Sequence, residues 1–196
     1  MRAIMKIHGD IKISRRTDIK PQSDYKKYRE DLRRDFGYIC GYCGKSEAVT
    51  KNMFEIDHFI PKKYAPEREK DYSNLVYSCS VCNWKKSSKW ISKKANIQFV
   101  NDEGFVDPAT EDYHNHLARN AEGNIVALTK AGKYMVEKGF EFDIRPMKEI
   151  WQAMQLIEKK ELLREKKKLS SDERKEYILF DEQLEALQKY LFNAKE

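Results

Sequence analysis

The four cysteines of the chain form two Cys-x-x-Cys pairs, Cys40/Cys43 and Cys79/Cys82. Two intervening residues let both thiolates of a pair turn towards one ion, and two such pairs supply the tetrahedral sulfur set that structural zinc prefers. A redox function would need only one pair, and burial alone would not predict this spacing. We therefore expect a structural Zn²⁺ ion whose four positions are all filled by sulfur.

A second group of candidate residues lies around these pairs. Asp57 and His58 follow an apolar segment that is typical of a strand, and Asn83 directly follows Cys82. If zinc clamps the two cysteine pairs together, Asn83 is held rigidly and can face Asp57. Carboxylate and amide oxygens suit Mg²⁺ or Mn²⁺ better than zinc. An imidazole beside such a hydrated ion can act as a general base.

In this order and spacing, the residues resemble an HNH endonuclease with the zinc-braced ββα-metal fold. The resemblance covers roughly residues 36–90, less than half of the chain, and rests on Cys40-x-x-Cys43, Asp57-His58-x-x-Pro61, Asn74-Leu75 and Cys79-x-x-Cys82-Asn83-x-x-Lys86. The third motif position is asparagine instead of the histidine that names the family. Asparagine occurs there in zinc-braced members that resemble phage resolvases.

The resemblance implies a role for each of four residues. His58 would be the general base, Asp57 and Asn83 would bind one Mg²⁺ or Mn²⁺ ion, and Asn74 would hold the loop that orients the base. In-line attack of water on a phosphodiester would then leave 5′-phosphate and 3′-hydroxyl ends. A single catalytic ion is expected because the motif offers one acidic ligand.

The segment that follows Asn83 is basic and aromatic. Residues 84–94 contain five lysines, two tryptophans and no acidic residue. Trp84 and Trp90 are candidates for stacking on unpaired bases, although aromatic residues at helical spacing more often belong to a core. Three lysines are expected to contact backbone phosphates, which carry no sequence information: Lys85, Lys86 and Lys89.

Two other groups of residues carry weaker signals. His114 and His116 would place two imidazoles on one face of a strand, but no third ligand stands near them in the sequence. A solvated or structural role is therefore expected for both, because a metal site needs a full ligand set. The pair Arg15 and Arg16 fits a DNA contact and a surface position equally well.

Local patterns predict the elements that position these groups. Residues 3–13 suggest a short strand or arm, 53–61 a strand ending at a proline, 83–90 a helix, and 97–127 several short strands. Four residues at helical spacing predict an N-terminal helix that Gly37 ends: Tyr25, Tyr28, Leu32 and Phe36.

The C-terminal part predicts two antiparallel helices. Apolar residues recur at helical spacing in 150–157 and again in 177–191, and Ser170 and Glu173 between them match a capping box. The two apolar stripes would pack on each other by default, or dock a partner helix in a groove.

The expected fold class is α+β, with a small zinc-braced nuclease core between helical regions. We predict an N-terminal arm and helix (1–35), the HNH core (36–95), an irregular, strand-like connector (96–130) and a C-terminal helical region with an antiparallel helix pair (131–196).

Charge and hydropathy narrow the function classes. Residues 1–100 carry 22 basic and 12 acidic residues, a net charge of +10, and residues 101–196 carry 16 and 20, a net charge of −4. A basic half fits a polyanionic partner, which the HNH resemblance makes DNA, but on charge alone a bias that keeps the protein soluble is the simpler explanation. No run of about 18 apolar residues is present and the first residues lack a secretory signal, so we expect a cytoplasmic protein without a membrane partner.

Residues 106–132 are similar to the segment that follows the HNH core in the small subunits of Septu-type and retron-linked ATPase–nuclease pairs. That resemblance implies anti-phage defence beside an ATPase, docked through the C-terminal helices. The sequence does not distinguish a free-standing enzyme from a nuclease subunit that stays silent until its ATPase activates it. A zinc-knuckle module that binds nucleic acid without cutting would not need all four motif residues. A homo-oligomer also fits, because breaking both strands commonly needs two active sites.

Overall fold

A computed structural model describes residues 4–50 and 53–193 of the chain. In chain order its α-helices are α1 (Arg29–Asp35), α2 (Ser80–Lys86), α3 (Tyr113–His116), α4 (Lys130–Tyr134), α5 (Met147–Arg164) and α6 (Ser171–Asn193). Its strands are β1 (Phe54–His58), β2 (Leu75–Cys79), β3 (Phe99–Val100), β4 (Glu103–Gly104), β5 (Leu117–Arg119) and β6 (Ile125–Ala127). The strands pair as three antiparallel hairpins, β1–β2, β3–β4 and β5–β6.

The β1–β2 hairpin and helix α2 form the centre of the predicted nuclease core. Phe54 lies opposite Cys79 and His58 opposite Leu75, and every residue of β2 is buried. The chain passes from β2 into α2 without a loop. The strand predicted within 53–61 is confirmed. Helix α2 ends before Trp90, the predicted end, because Ser87 adopts a positive φ of 46°, which an L-residue cannot continue as a right-handed helix.

The predicted N-terminal helix is also confirmed. It begins as the 3₁₀ turn Tyr25–Tyr28, where the Asp24 side chain accepts a hydrogen bond from the backbone of Lys26, and it continues as α1. Gly37 has a φ of +58° directly after the helix, the left-handed conformation that ends many helices. The strand predicted near the N-terminus is reduced, within the described residues, to an isolated bridge between Met5 and Arg119.

The connector contains short strands, as predicted, but the strand prediction at His114 and His116 is wrong. Both residues lie in the helical turn α3. Residues that are two positions apart in a helix point about 200° away from each other around the axis, so the two imidazoles face different neighbours. The His114 ring meets the His8 ring at 4.9 Å between centroids, whereas His116 contacts Thr129 and Asp112.

Helices α5 and α6 pack as the predicted antiparallel pair. The capping box between them is confirmed in both directions. The Glu173 backbone donates to Ser170 Oγ at 3.2 Å, and the Ser170 backbone donates to a Glu173 carboxylate oxygen at 2.8 Å. These two bonds satisfy donors at the start of α6 that would otherwise lack partners.

All four predicted segments contribute to one apolar cluster. It extends from Ile7 through Leu32 and Tyr77 to Phe140 and Leu191. Among the helices of residues 4–50 and 53–193, none has the length and apolar character needed to cross a bilayer.

Candidate metal centre and active site

The four cysteine sulfurs converge at one buried point. All lie within 4.8 Å of one another, and the thiols are free. The sulfurs of Cys43 and Cys79 are 3.9 Å apart. Four sulfurs at about 2.3 Å from a tetrahedral zinc ion would be about 3.8 Å apart. The donor set therefore fits a zinc ion.

The turn that carries the first cysteine pair depends on a glycine. Gly44 has a φ of +70°, and its backbone donates to the Cys40 carbonyl at 2.8 Å. A Cβ atom on this residue would lie 2.4 Å from the carbonyl oxygen of Ile7. A larger residue would therefore clash with backbone, and glycine lets the chain fold tightly enough for both sulfurs to face inwards.

Burial of the cysteines favours a bound cation. Burial raises the pKa values of the Cys40 and Cys82 thiols well above the usual value for cysteine. Four thiolates in one buried space would repel each other and lose their hydration. A divalent cation removes both costs, because thiolates are the form that binds metal.

His58 ends β1 with one ring nitrogen already used. Its Nε2 lies 2.8 Å from the carbonyl oxygen of Glu69. Because a carbonyl can only accept, Nε2 must donate, and Nδ1 carries the lone pair in the neutral ring. Burial lowers the pKa of His58 below its usual value, and the Tyr25 ring packs edge-on against the imidazole at 4.7 Å. The arrangement presents a neutral imidazole of defined tautomer.

Asn74 is buried beneath the loop that follows His58. Its Oδ1 accepts from the backbone of Ile60 at 2.9 Å, and its Nδ2 donates to the Ile60 carbonyl at 3.1 Å. Its own carbonyl accepts from the backbone of Phe59 at 2.8 Å. Three hydrogen bonds thus fix the chain at the end of β1.

Asp57 is buried and bound by two side chains. Its Oδ2 accepts from the Tyr42 hydroxyl at 2.5 Å and forms an ion pair with Lys86 Nζ at 2.8 Å. Lys86 also donates to the His58 carbonyl at 2.7 Å. The expected facing pair of Asp57 and Asn83 is not the contact that forms, because the Asn83 amide donates to the carboxylate of Glu55.

The packing of α2 on β1 explains this difference. Residues 55 and 57 point to the same side of a strand about 6.8 Å apart, and residues 83 and 86 lie about one helical turn apart. Asn83 therefore stands opposite Glu55, and Lys86 stands opposite Asp57. Glu55 is a second carboxylate on this face, in addition to the one acidic residue that the motif offers. Its two-residue spacing from Asp57 in a strand was the available sequence signal.

A cleft of about 400 Å³ opens beside this pair. It is lined by Glu55, Ile56 and Asn83 from the hairpin and α2, and by Tyr25, Lys26 and Arg29 from the N-terminal helix. Tyr25 connects the cleft to His58, which its ring contacts. The sequence motif did not indicate the three N-terminal residues, because they lie outside it.

Comparison with known proteins agrees with this geometry. Residues 40–89 match the sequence model of the HNH endonuclease family. The chain contains an HNH endonuclease domain. It is also similar to the Septu protein PtuB of Bacillus thuringiensis, with 31% identity over 78 residues, which are 40% of this chain and 27% of that protein. The matched region therefore spans about a quarter of the length of that relative.

The three lysines predicted to contact phosphates lie in different surroundings. Lys86 is fully buried on Asp57, so the predicted phosphate contact is wrong for it, because its ammonium already neutralises a carboxylate. Lys85 is paired with Glu141. Lys89 donates to the Lys138 carbonyl at 2.7 Å and keeps 38% of its side chain exposed.

The two tryptophans of the basic segment 84–94 have opposite environments, one buried and one exposed. Trp90 is buried, and its ring packs edge-on against Phe59 at 5.5 Å. Trp84 is 70% exposed. Only Trp84 of these two therefore has a face that a base could reach.

Proposed function

We propose that this chain is a metal-dependent HNH endonuclease that hydrolyses phosphodiester bonds of DNA to 5′-phosphate and 3′-hydroxyl ends. The observation that carries the proposal is the state of His58. Its Nε2 is bound to a backbone carbonyl, which leaves the lone pair of the neutral ring on Nδ1, and burial lowers the pKa of the imidazole. A base needs this state to accept a proton from water.

His58 is the proposed general base and accepts the proton of the attacking water at Nδ1. Asn74 positions it by holding the backbone of Phe59 and Ile60. Tyr25 packs against the ring and limits its rotation. Lys86 contributes by fixing the carbonyl of His58 and the carboxylate of Asp57 at once.

Asp57 and Asn83 are the proposed residues for Mg²⁺ or Mn²⁺. Asp57 would offer Oδ1, because Tyr42 and Lys86 hold its Oδ2. Glu55 adds an acidic oxygen next to Asn83. Hard oxygen donors of this kind fit either ion. When bound, the ion would stabilise negative charge on the phosphate and on the departing 3′-oxygen. The four cysteines would hold structural zinc and thereby fix β2, α2 and Asn83 relative to the first cysteine turn.

We also propose a role in anti-phage defence beside a partner ATPase. The similarity to the Septu protein PtuB supports this proposal, as does the exposed apolar surface of α6, where Ile178 is 58% and Phe192 is 77% exposed. Purification of the tagged chain from its native host would test it. Recovery of a stoichiometric ATPase, lost on Ile178→Glu, is expected. Recovery of the chain alone would contradict it.

The nuclease proposal is tested by cleavage of supercoiled plasmid with and without Mg²⁺ or Mn²⁺. We expect metal-dependent nicking that falls by about 100-fold or more in His58→Ala, since general base catalysis contributes about 10²–10⁴-fold. His116→Ala is the matched control, because this partly exposed imidazole lies outside the HNH domain. Nicks that DNA ligase reseals would demonstrate the proposed ends. Comparable cutting by His58→Ala would disprove the assignment of the base.

A further inference from the structure

Arg145 reaches the cysteine cluster from outside the HNH domain. It directly follows the 3₁₀ turn Phe142–Ile144 and is 6% exposed. Its Nη1 donates to the sulfur of Cys82 at 3.4 Å and to the carbonyl of Phe140 at 3.3 Å. A residue more than 60 positions along the chain from Cys82 thus touches a proposed zinc ligand.

The rest of the Arg145 guanidinium has little to compensate its charge. Its Nε and Nη2 are buried and have no hydrogen-bonding partner among the described residues, and its Cζ lies 5.3 Å from the centroid of the Phe142 ring. A buried charge is costly unless an opposite charge lies close to it. The available opposite charge is that of the cysteine sulfurs.

Arg119 provides a contrast within the same core. It is also fully buried, but its guanidinium donates to the carbonyls of Gly123, Cys43 and Ile7. Backbone carbonyls therefore satisfy Arg119, whereas Arg145 depends on sulfur. The difference indicates that the surroundings of Arg145 are built for a negative centre.

The charge of a zinc–tetrathiolate centre matches this environment. Four thiolates and one Zn²⁺ leave two negative charges. Lys45, two residues after Cys43, is fully buried as well, and its carbonyl accepts a hydrogen bond from the Cys40 backbone at 2.8 Å. Arg145 and Lys45 together supply two positive charges, and Arg119 adds a third at the Cys43 carbonyl, so the two negative charges of the centre would be fully compensated.

We propose that Arg145, together with Lys45, neutralises the zinc–tetrathiolate centre and is a positioning residue through which the C-terminal region holds the metal. The inference rests on the proposed zinc site. It follows that zinc retention by the HNH domain depends on a residue that the HNH motif does not contain. Partners that orient metal ligands typically change metal affinity 10–100-fold when they are mutated.

The test measures zinc affinity by competition with a chromophoric chelator, using the full-length zinc-loaded chain. Arg145→Met, which keeps length and removes charge, is expected to weaken zinc binding 10–100-fold. Arg145→Lys should keep most of the affinity. Arg29→Met is the matched control, because that guanidinium contacts the Phe54 carbonyl and the Tyr77 ring but no sulfur. A folded Arg145→Met variant with wild-type affinity would overturn the inference.

A second comparison covers the case in which Arg145→Met does not fold. Cys82→His gives a Cys₃His set, which also binds zinc, and removes one negative charge. In the Cys82→His background, Arg145→Met should reduce zinc affinity less than it does in the wild-type chain. The double variant should also fold more readily than Arg145→Met alone. An equal cost in both backgrounds would contradict charge neutralisation. Because the readout is zinc affinity, failure here is distinguishable from failure of the proposed cleavage activity.

Discussion

His58 and Asn74 form their critical contacts with nearby backbone. His58 Nε2 bonds to the Glu69 carbonyl, and the Asn74 amide bonds to both backbone groups of Ile60. Such contacts depend on a short stretch of chain, so a spacing motif carries them. Asp57 and Asn83 differ, because their partners Tyr42, Lys86 and Glu55 come from separate elements. Residue types in a motif do not specify those pairings.

The environment of His58 predicts how it titrates. Burial lowers its pKa from the usual 6.5, because removing the ring from water disfavours the charged form. In the folded chain without Mg²⁺ or Mn²⁺, the imidazole should therefore stay neutral at pH 6.5 and protonate only at lower pH. Since the unfolded chain binds the proton first, this group should reduce the free energy of unfolding as pH falls below about 6.5.

The measurement is an NMR titration of imidazole carbons in the zinc-loaded chain, with the His58 signal assigned by its loss in His58→Ala. His116→Ala should leave that signal in place. A His58 midpoint at or above 6.5 would contradict the effect assigned to burial.

At the scale of elements, the sequence predicted structure well where the stabilising contacts join residues that are close together in sequence. The N-terminal helix with its Gly37 stop and the Ser170–Glu173 capping box are of this kind. The register of α2 on β1 is different, because it depends on packing between elements, and it decides that Lys86 meets Asp57. The same limit applies to α3, where the buried Tyr113 lies in a helical turn and the local pattern predicted a strand.

The junction of β2 and α2 predicts the effect of removing one sulfur. Cys79 ends β2 and Cys82 lies in the first turn of α2, so zinc would clamp the two elements where they meet. Cys79→Ser should lose zinc and the cooperative unfolding of the domain, because metal binding energy is part of the folding free energy of such sites.

Zinc content and thermal unfolding followed by circular dichroism measure this effect. Ser78→Ala is the matched control. Ser78 lies next to Cys79, and its hydroxyl is buried and has no hydrogen-bonding partner among the described residues. Cys79→Ser that stays folded, retains zinc and cuts DNA would refute the structural-zinc assignment.

At the scale of the whole molecule, residues of the C-terminal half pack directly against the HNH domain. The Tyr113 hydroxyl donates to the Tyr42 carbonyl at 2.6 Å. The Phe140 ring packs on the Tyr42 ring at 4.5 Å, and Arg145 contacts Cys82. The first two contacts cover the first cysteine turn, and the third reaches the second cysteine pair, all with residues that lie far away in sequence. The acidic half of the chain therefore supplies part of the core of the basic half.

This shared core predicts that the HNH segment does not fold alone. A chain of residues 36–95 would expose Tyr42, and it would also lose the N-terminal residues Leu32 and Tyr28, which are buried in the same cluster. Fully burying one large apolar side chain is worth about 1.5–3 kcal/mol, and a typical domain has only about 5–15 kcal/mol of stability. Losing several such contacts should remove most of that stability.

We expect the 36–95 fragment with zinc to show poorly dispersed NMR signals and no cooperative melt, whereas residues 4–193 show both dispersion and cooperativity. A fragment of residues 4–164, which lacks α6, is the control for truncation itself. It retains Tyr113, Phe140 and Arg145 and should stay folded with reduced stability, because Leu191 is the only fully buried residue that the described part of α6 adds. A dispersed spectrum and a cooperative melt from 36–95 alone would contradict the prediction and show that the HNH segment folds as a separate unit.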